Sequence, residues 1–305
     1  MEKGKEGSMN GQKASDIIVS QTDEYNVYQV LSRTFEFLRI SVHPGIAVVK
    51  LNLCSLKSRE TGATSDSFVV EQLVKFLNEK GVIVKLVESD SASKDADLAF
   101  KYLGFKNLER RYDVKCVNLS KDDYTIKQID GYYLKSVKVP KTMETADLFI
   151  THPKLKTHSS LKVYVTGALK NQFGCLMDRD KALHHPKIHE VIVDANLAFR
   201  PDLTIMDGII AMTGYGPTNG TPLRLNTLIV SRDPVAVDSF AARLFGYNPC
   251  SIKYIKLASS KGLGNMKYSL WGENTAIVDL LSLTEKIIVQ AANLLSSIGL
   301  SAPEG

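Results

Sequence analysis

Five of the six histidines in this 305-residue chain fall between His152 and His189, in a stretch that also carries Thr151-His-Pro-Lys-Leu-Lys-Thr-His158 and Thr166-Gly-Ala-Leu-Lys-Asn171. Imidazole titrates near neutral pH, and lysine loses its proton readily once desolvated. A window holding both residue types can perform acid–base chemistry, bind an anion, or do both. Lys154 and Lys156 alternate along an extended segment, so they point the same way and set two ammoniums on one side, as a carboxylate or phosphate would need. The competing reading is a solvated loop with two ordinary lysines. Lys170 is followed by Asn171 and Gly174, which brings a basic nitrogen, an amide and an unhindered backbone together. If Phe173 and Leu176 desolvate Lys170, its pKa falls and it becomes a base or nucleophile; otherwise it is an exposed helical lysine.

His184-His185-Pro186-Lys187-Ile188-His189 invites a zinc reading, because His185 and His189 have the i, i+4 spacing of two ligands on one helix face. Pro186 argues against it. Proline favours the first turn of a helix, which places His185 just before the helix and not on it, and no HExxH motif is present. The window therefore favours proton transfer by His158 or His185 over metal ligation, and no metal or other cofactor is assigned. Asp207, followed by Gly208, could orient a lysine or histidine of the window, although Asp-Gly is also a plain turn former. In Asp233-Pro-Val-Ala-Val-Asp238, helix capping explains Asp233, while Asp238 sits among apolar residues and needs a partner if buried. The loop Gly214-Tyr-Gly-Pro-Thr-Asn-Gly220 could lay backbone N–H groups, Gly216 among them, against an anion, or act as a flap, or be a simple turn. It is neither a Rossmann nor a Walker loop, since strand follows it and no GK[ST] does.

The elements that must hold these groups alternate. Tyr25 to Ile40 has helical apolar spacing, and Ile46 to Leu53 reads as a buried strand after His43-Pro44-Gly45. Thr64 or Ser65 can cap a helix to about Asn78, Gly81 ends it, and Val82 to Val87 is a second strand, which makes a parallel crossover unit. Further strands are expected at 114–119, 133–139, 146–151, 203–206 and 225–230, with a helix at 234–245 begun by Asp233 and Pro234. Leu161 to Lys170 is open between helix and strand, and an amphipathic helix is expected near 277–295. The fold class is α/β, with a mixed, largely parallel sheet and helices packed on its faces. Ligands of such sheets gather at the carboxyl ends of strands, where the window begins. Residues 1–22 are polar and expected to be disordered. Residues 23–300 are expected to form one domain, and any division into two lobes would put the cleft near 150–190.

Composition limits the partners. With 44% hydrophobic and 23% charged residues the chain has globular proportions, and a net charge of +5, from 38 basic against 33 acidic side chains, is mild for a nucleic-acid binder. No aromatic RNA-binding motif or long basic block is present, and a small anion is the simpler partner. Cys54, Cys116, Cys175 and Cys250 form no CxxC pair, and no apolar stretch reaches membrane-spanning length. A cytoplasmic protein without an iron–sulfur cluster of its own is expected.

Five motifs in order, Pro153-Lys-Leu-Lys-Thr-His158, Thr166-Gly-Ala-Leu-Lys-Asn171 with Phe173-Gly174, Asp207-Gly208 with Gly214-Tyr-Gly-Pro217, Asp233-Pro-Val-Ala-Val-Asp238 and Gly262-Leu-Gly264, resemble the family known as domain of unknown function 362. The similarity runs from about Ile46 to Asn265 and takes in Lys50-Leu-Asn52, Ala63-Thr-Ser65 and Glu88-Ser89. Many members carry a ferredoxin-like cysteine module, which associates the family with redox or cofactor-linked metabolism. This chain has no CxxCxxC run, so the resemblance implies a redox protein as partner for any electron transfer. The order His158, Lys170, His185 is also similar to a histidine, lysine, histidine series in the amino-terminal domain of nickel-pincer lactate racemases, where those groups serve a hydroxy acid and its cofactor. Together these readings give an enzyme that binds an anionic small molecule through Lys50, Glu88, Lys154, Lys156, Asn171 and Gly216, with His158, Lys170, His185 and Asp207 as acid–base groups. The competing class is a non-catalytic protein that handles a cofactor or metal for a redox partner.

Overall fold

The computed structural model describes residues 14–273, so the helix expected near 277–295 lies outside the described residues. In chain order the strands are β1 (Ser15–Gln21), β2 (Gly45–Lys50), β3 (Val82–Glu88), β4 (Val114–Asn118), β5 (Tyr124–Gln128), β6 (Ser136–Pro140), β7 (Leu148–Thr151), β8 (Lys154–His158), β9 (Tyr164–Thr166), β10 (Leu203–Thr213), β11 (Thr221–Ser231) and β12 (Tyr268–Trp271). The helices are α1 (Val27–Phe37), α2 (Ser67–Asn78), α3 (Ala96–Tyr102), α4 (Lys141–Glu144), α5 (Ala168–Asn171), α6 (Ile188–Ala198), α7 (Pro234–Leu244) and α8 (Lys253–Ser260). Ten strands form one sheet in the order β12-β1-β11-β10-β7-β2-β3-β4, with β8 beside β10 and β9 beside β8, while β5 and β6 make a separate hairpin. The β4-β3-β2-β7-β10 side is parallel throughout, and β11 runs antiparallel to both β10 and β1. The α/β class with a mostly parallel sheet is therefore what the strand and helix alternation predicts.

Alternating side chains divide the core. Along β2, Val48 faces a cluster built with α6, α7 and α8, whereas Ala47 and Val49 face a second cluster built with α1, α2 and α3. Period two along the strand thus places a helical layer on each face. Asp66, one residue beyond Ser65 of the two expected caps, begins α2 by accepting from Phe68 N. Asp233 caps α7 by accepting from Val235 N at 2.8 Å and Ala236 N at 3.0 Å, with Pro234 in the first turn as expected.

Two readings change. The polar stretch through residue 22, expected to be disordered, contains β1 from Ser15 onward. The short apolar run Ile17-Ile18-Val19 is buried, and β1 is held on both sides, antiparallel to β11 and parallel to β12. A strand with two neighbours needs no long apolar run to be ordered. The open segment 161–170 divides at Gly167: β-branched Val165 and Thr166 finish β9, and Ala168 begins α5. Beyond the expected elements, α3 and α8 are short, and α6 is buried on nearly every side.

Asp233 also accepts from Ser15 Oγ at 2.6 Å and Asn265 N at 2.7 Å, so one carboxylate joins α7, β1 and the segment before β12. Asp233→Ala is expected to lower stability by about 1–2 kcal/mol, the cost of a lost cap and its satellites, in urea denaturation followed by circular dichroism.

Candidate functional site

The parallel strands end together. Lys50 at the end of β2 lies in register with Thr151 of β7 and Val87 of β3, and Glu88 lies in register with Asn118 of β4. Their carboxyl ends open into a cavity of about 200 Å³. Lys50, Asn52 and Cys54 line it after β2, Glu88 to Ser91 and Lys94 after β3, and Lys170, Asn171, Phe173, Gly174 and Lys181 from the segment after β9.

Hydrogen bonds fix most of this wall. Glu88 accepts from Leu53 N and Ser89 N, each at 2.9 Å, and pairs with Lys50 at 2.9 Å and more loosely with Lys94 at 3.8 Å. Burial would raise the Glu88 pKa, but the two ammoniums and two amide donors outweigh it and hold the carboxyl down at about 2. Asn171 donates to Lys50 O at 3.2 Å and Thr151 Oγ1 at 2.9 Å and accepts from Asn52 Nδ2 at 3.0 Å, so it knits β2 and β7 to α5. Gly174 passes so close to the Lys50–Glu88 pair that a Cβ there would stand 2.7 Å from Lys50 Nζ. A side chain here would have to displace the Lys50–Glu88 pair, although the backbone conformation itself admits any residue.

Lys170 and Lys181 are different. Both are partly exposed, and neither is ion-paired to a carboxylate among the described residues. Lys181 donates to the carbonyls of Asp90 and Asp178, at 2.5 and 2.9 Å. Lys170 lies 5.8 Å from the centre of the Phe173 ring. Desolvation lowers both ammoniums to about 8, helped for Lys170 by the charges of Lys156 and Lys50 and for Lys181 by those of Lys94 and Lys50. Lys94 is lowered as well, by burial first.

Lys170 owes its place to Asp238. Ala168 N and Leu169 N donate to the two oxygens of that buried carboxylate at 2.6 and 3.1 Å, so Asp238 on α7 closes the amino end of α5. A Cβ on Gly167 would lie 2.1 Å from Asp238 Oδ1, which leaves room only for glycine. This supplies the partner that a buried Asp238 demands. Burial still prevails over the two amide donors and pushes the carboxyl up to about 7.

The cavity brings together Lys50, Glu88, Lys170 and Asn171 from the residues expected in the site. It does not bring in Lys154, Lys156, His158, His185, Asp207 or Gly216. Lys154 and Lys156 are fully buried, contrary to the expected crevice-facing pair. Lys154 is paired with Asp207 at 2.7 Å, both with 0% side-chain exposure. Asp207 also accepts from Asp66 N at 3.0 Å and Ile209 N at 3.1 Å. Burial would raise its carboxyl, but the Lys154 charge above all, with His152 and the Asp66 amide, holds it below the ordinary value. Lys156 donates to Ala63 O at 2.5 Å, Asn52 Oδ1 at 2.8 Å, Pro217 O at 3.2 Å and Cys54 Sγ at 3.1 Å. Gly216 contributes its carbonyl to Ser159, accepting from N at 3.0 Å and Oγ at 2.9 Å, and packs against the turn after β8.

The histidines form the surroundings of the cavity and not its wall. His158 is buried, accepts from Ser160 N at Nδ1, and is held well below 6.5 by burial and by the Lys170 charge. His185 is exposed, on the 3₁₀ segment Lys181–Lys187, and is lowered by partial burial and by Lys170. Pro186 lies in that segment two residues before α6, so it does not start the helix, yet it keeps His185 off the face of His189 as argued. The Lys170 charge acts with burial to lower both His158 and His185, which favours their neutral imidazoles. His152 is fully buried with Nδ1 2.8 Å from Ile205 O, His184 sits edge-on to Phe173, and His189 stacks on Tyr254. No group of three or more metal-ligating side chains occurs among the described residues.

Lys94 and Lys181 are site residues that sequence reasoning did not find. Lys94 follows the end of β3 in a four-residue turn closed by Ser91, and Lys181 follows the capping residue Asp180. Position after a strand end was the available signal for Lys94; only the Asp180 cap pointed to an ordered Lys181.

A parallel-sheet edge, a lysine-lined cavity and a carboxylate-anchored single-turn helix define the site of an α/β protein whose motifs fall within one family. The chain belongs to the family described as domain of unknown function (DUF362), whose model matches residues 47–243. It is 28% identical over 196 residues to a thylakoid-associated protein of Synechocystis sp., covering 61% of this chain and 60% of that relative. The chain thus spans about three-fifths of the relative's length. In a structural comparison, the lactate racemase apoprotein of Thermoanaerobacterium thermosaccharolyticum aligns with a TM-score of 0.43 and 10% identity, over 76% of this chain and 57% of that one. No helix among the described residues is long and apolar enough to cross a membrane.

The buried Lys154–Asp207 pair can be separated from any chemical role by its energetics. Lys154→Met or Asp207→Asn alone is expected to cost about 3–5 kcal/mol, because each strands a buried charge, whereas the double variant recovers much of the loss. Chemical denaturation of the three variants and the parent measures this.

Proposed function

We propose that the protein is an enzyme that binds a small anionic molecule, a carboxylate or a phosphate, in the cavity at the carboxyl ends of β2 and β3, with Lys170 as its acid–base group. One observation carries this reading: Lys170 and Lys181 reach the cavity without carboxylate partners, while Glu88 is already shared by Lys50 and Lys94. Four ammoniums against Glu88 and Asp90 leave the wall net positive, and a bound anion would supply the missing countercharge. Asp90 is itself engaged, accepting at Oδ1 from Ala96 N and Asn118 Nδ2. The volume is below the roughly 300–1,000 Å³ of pockets that hold drug-sized ligands, which favours a metabolite of a few carbons. A lysine near 8 exchanges its proton close to physiological pH, and the neutral imidazoles of His158 and His185 beside it are suited to accept that proton. The four free cysteines support a reducing compartment such as the cytoplasm.

Isothermal titration with inorganic phosphate, lactate and pyruvate tests the reading. Lys170→Ala and Lys181→Ala are each expected to weaken binding about tenfold, roughly 1.4 kcal/mol, for loss of one charge-assisted contact. Equal affinities in the parent and both variants, or no binding to any, would sink it. The pH dependence has a definite sign. Both ammoniums are charged below about 8 and neutral above it, so affinity is expected to be retained down to pH 6 and to fall as pH rises through about 8.

A further inference from the structure

We propose that Lys170 forms an imine with the carbonyl carbon of a small 2-oxo acid whose carboxylate is held by Lys181 and Lys94. This rests on the anion reading above and extends it by naming the substrate class and the nucleophile.

Geometry singles out Lys170. An amine that attacks a carbonyl must be neutral, must reach the ligand, and must not be engaged as a hydrogen-bond donor elsewhere. Among the six lysines gathered at this edge, Lys154 is sealed in against Asp207 and Lys156 is sealed in with several acceptors, Lys50 is paired with Glu88 and donates to Leu51 O at 2.7 Å, Lys94 faces Glu88, and Lys181 is held by two carbonyls. Lys170 alone among these has neither a hydrogen-bond acceptor nor a carboxylate within ion-pair distance in the described residues; its neighbour is the Phe173 ring. It is also fixed from behind, because Asp238 and Asn171 clamp the single turn that carries it.

The surrounding cations then complete the chemistry. Partial burial and nearby positive charge favour the free amine, and a lysine near 8 has about 200-fold more neutral amine at pH 7.5 than an ordinary lysine at about 10.4. Lys181 and Lys94 remain available for the ligand carboxylate on the same cavity wall. The step balances without an oxidant or metal: the amine nitrogen bonds to the carbonyl carbon, the oxygen takes up protons from the amine and solvent, and water leaves as the C=N bond forms. The protonated imine would then acidify the adjacent carbon.

Borohydride trapping provides the test. Full-length protein is incubated with pyruvate or glyoxylate, reduced, and read by intact mass and peptide mapping, with Lys170→Arg, Lys181→Ala and the exposed-lysine control Lys101→Ala in parallel. The expected result is one adduct per chain on the peptide carrying Lys170, formed about tenfold or more faster than at Lys101. It should be lost in Lys170→Arg, slowed in Lys181→Ala, unchanged in Lys101→Ala, and suppressed by inorganic phosphate. Its rate should pass through a maximum near pH 8, since it needs a neutral Lys170 and a charged Lys181. Adducts spread over surface lysines, or labelling equal in Lys170→Arg and parent, overturn the imine. Phosphate titration of the same proteins separates the two ideas. If phosphate binds but no selective adduct forms, only the imine falls; if phosphate does not bind either, the anion reading falls with it. Phosphate protection in the parent keeps the test valid even if a variant fails to fold.

Discussion

A lysine ammonium taken out of water has to find acceptors or give up its proton, and the carboxyl edge of this sheet buries or half-buries six of them. The ways in which the six meet that demand set the structure apart into scaffold and site. Lys154 takes a full countercharge from Asp207, in a pair that ties β8 to β10 and, through Asp66 N, to the start of α2. Lys156 has only neutral acceptors, drawn from the β2 end, the segment before α2 and the 214–220 loop. Lys50 and Lys94 divide one carboxylate. What remains is Lys170 and Lys181, whose incomplete satisfaction is compatible with folding because both keep some access to water.

That division depends on the path of β10. It pairs with β7 at Leu203 and Thr204 and then, further along, with β8 at Asp207 and Met212, so two strands separated by His152-Pro153 share one neighbour. β7 ends at Thr151 level with Lys50, and the chain dips past His152 before β8 resumes deeper in the protein. The lysines of β8 are therefore carried under the 214–220 loop and out of the cavity, and the return through β9 and Gly167 brings Lys170 back to the edge. The motif run from Pro153 to Asn171 builds both a buried floor and one accessible wall.

The sequence was legible where local rules decide position. Apolar runs and a Gly-terminated helix indicate the two neighbouring parallel strands that carry Lys50 and Glu88, although the first reads through to Leu53 and ends at Lys50, and a buried Asp238 needs a partner. The orientation of Lys154 and Lys156 was not legible, because alternation shows that two side chains share a side but not whether that side meets solvent or another layer. His152, His184 and His189 misled for a related reason: an imidazole packs against Phe173 or Tyr254 as readily as it serves in catalysis, and spacing does not distinguish the two. Lys94 lies in a polar turn and Lys181 at the start of a 3₁₀ segment, and both converge on Lys170 only through tertiary folding.

Two buried aspartates show how environment assigns roles to one residue type. Asp207 meets an ammonium, a neighbouring imidazole and amide donors, and its carboxyl is held below the ordinary value. Asp238 meets amide donors without a cation, with Tyr254 and Asp233 close by, and burial pushes it up to about 7. The first is locked as a charge and serves as a permanent structural anion. The second sits near the point where it can carry a proton or not, directly behind the turn that presents Lys170. Ionised Asp238 is the better acceptor for Ala168 N and Leu169 N, so α5 is held most firmly when that proton is absent. A site whose lysine changes charge near 8 is thus supported by a carboxylate that changes charge near 7, and between those values the clamp is charged while Lys170 is still mainly an ammonium.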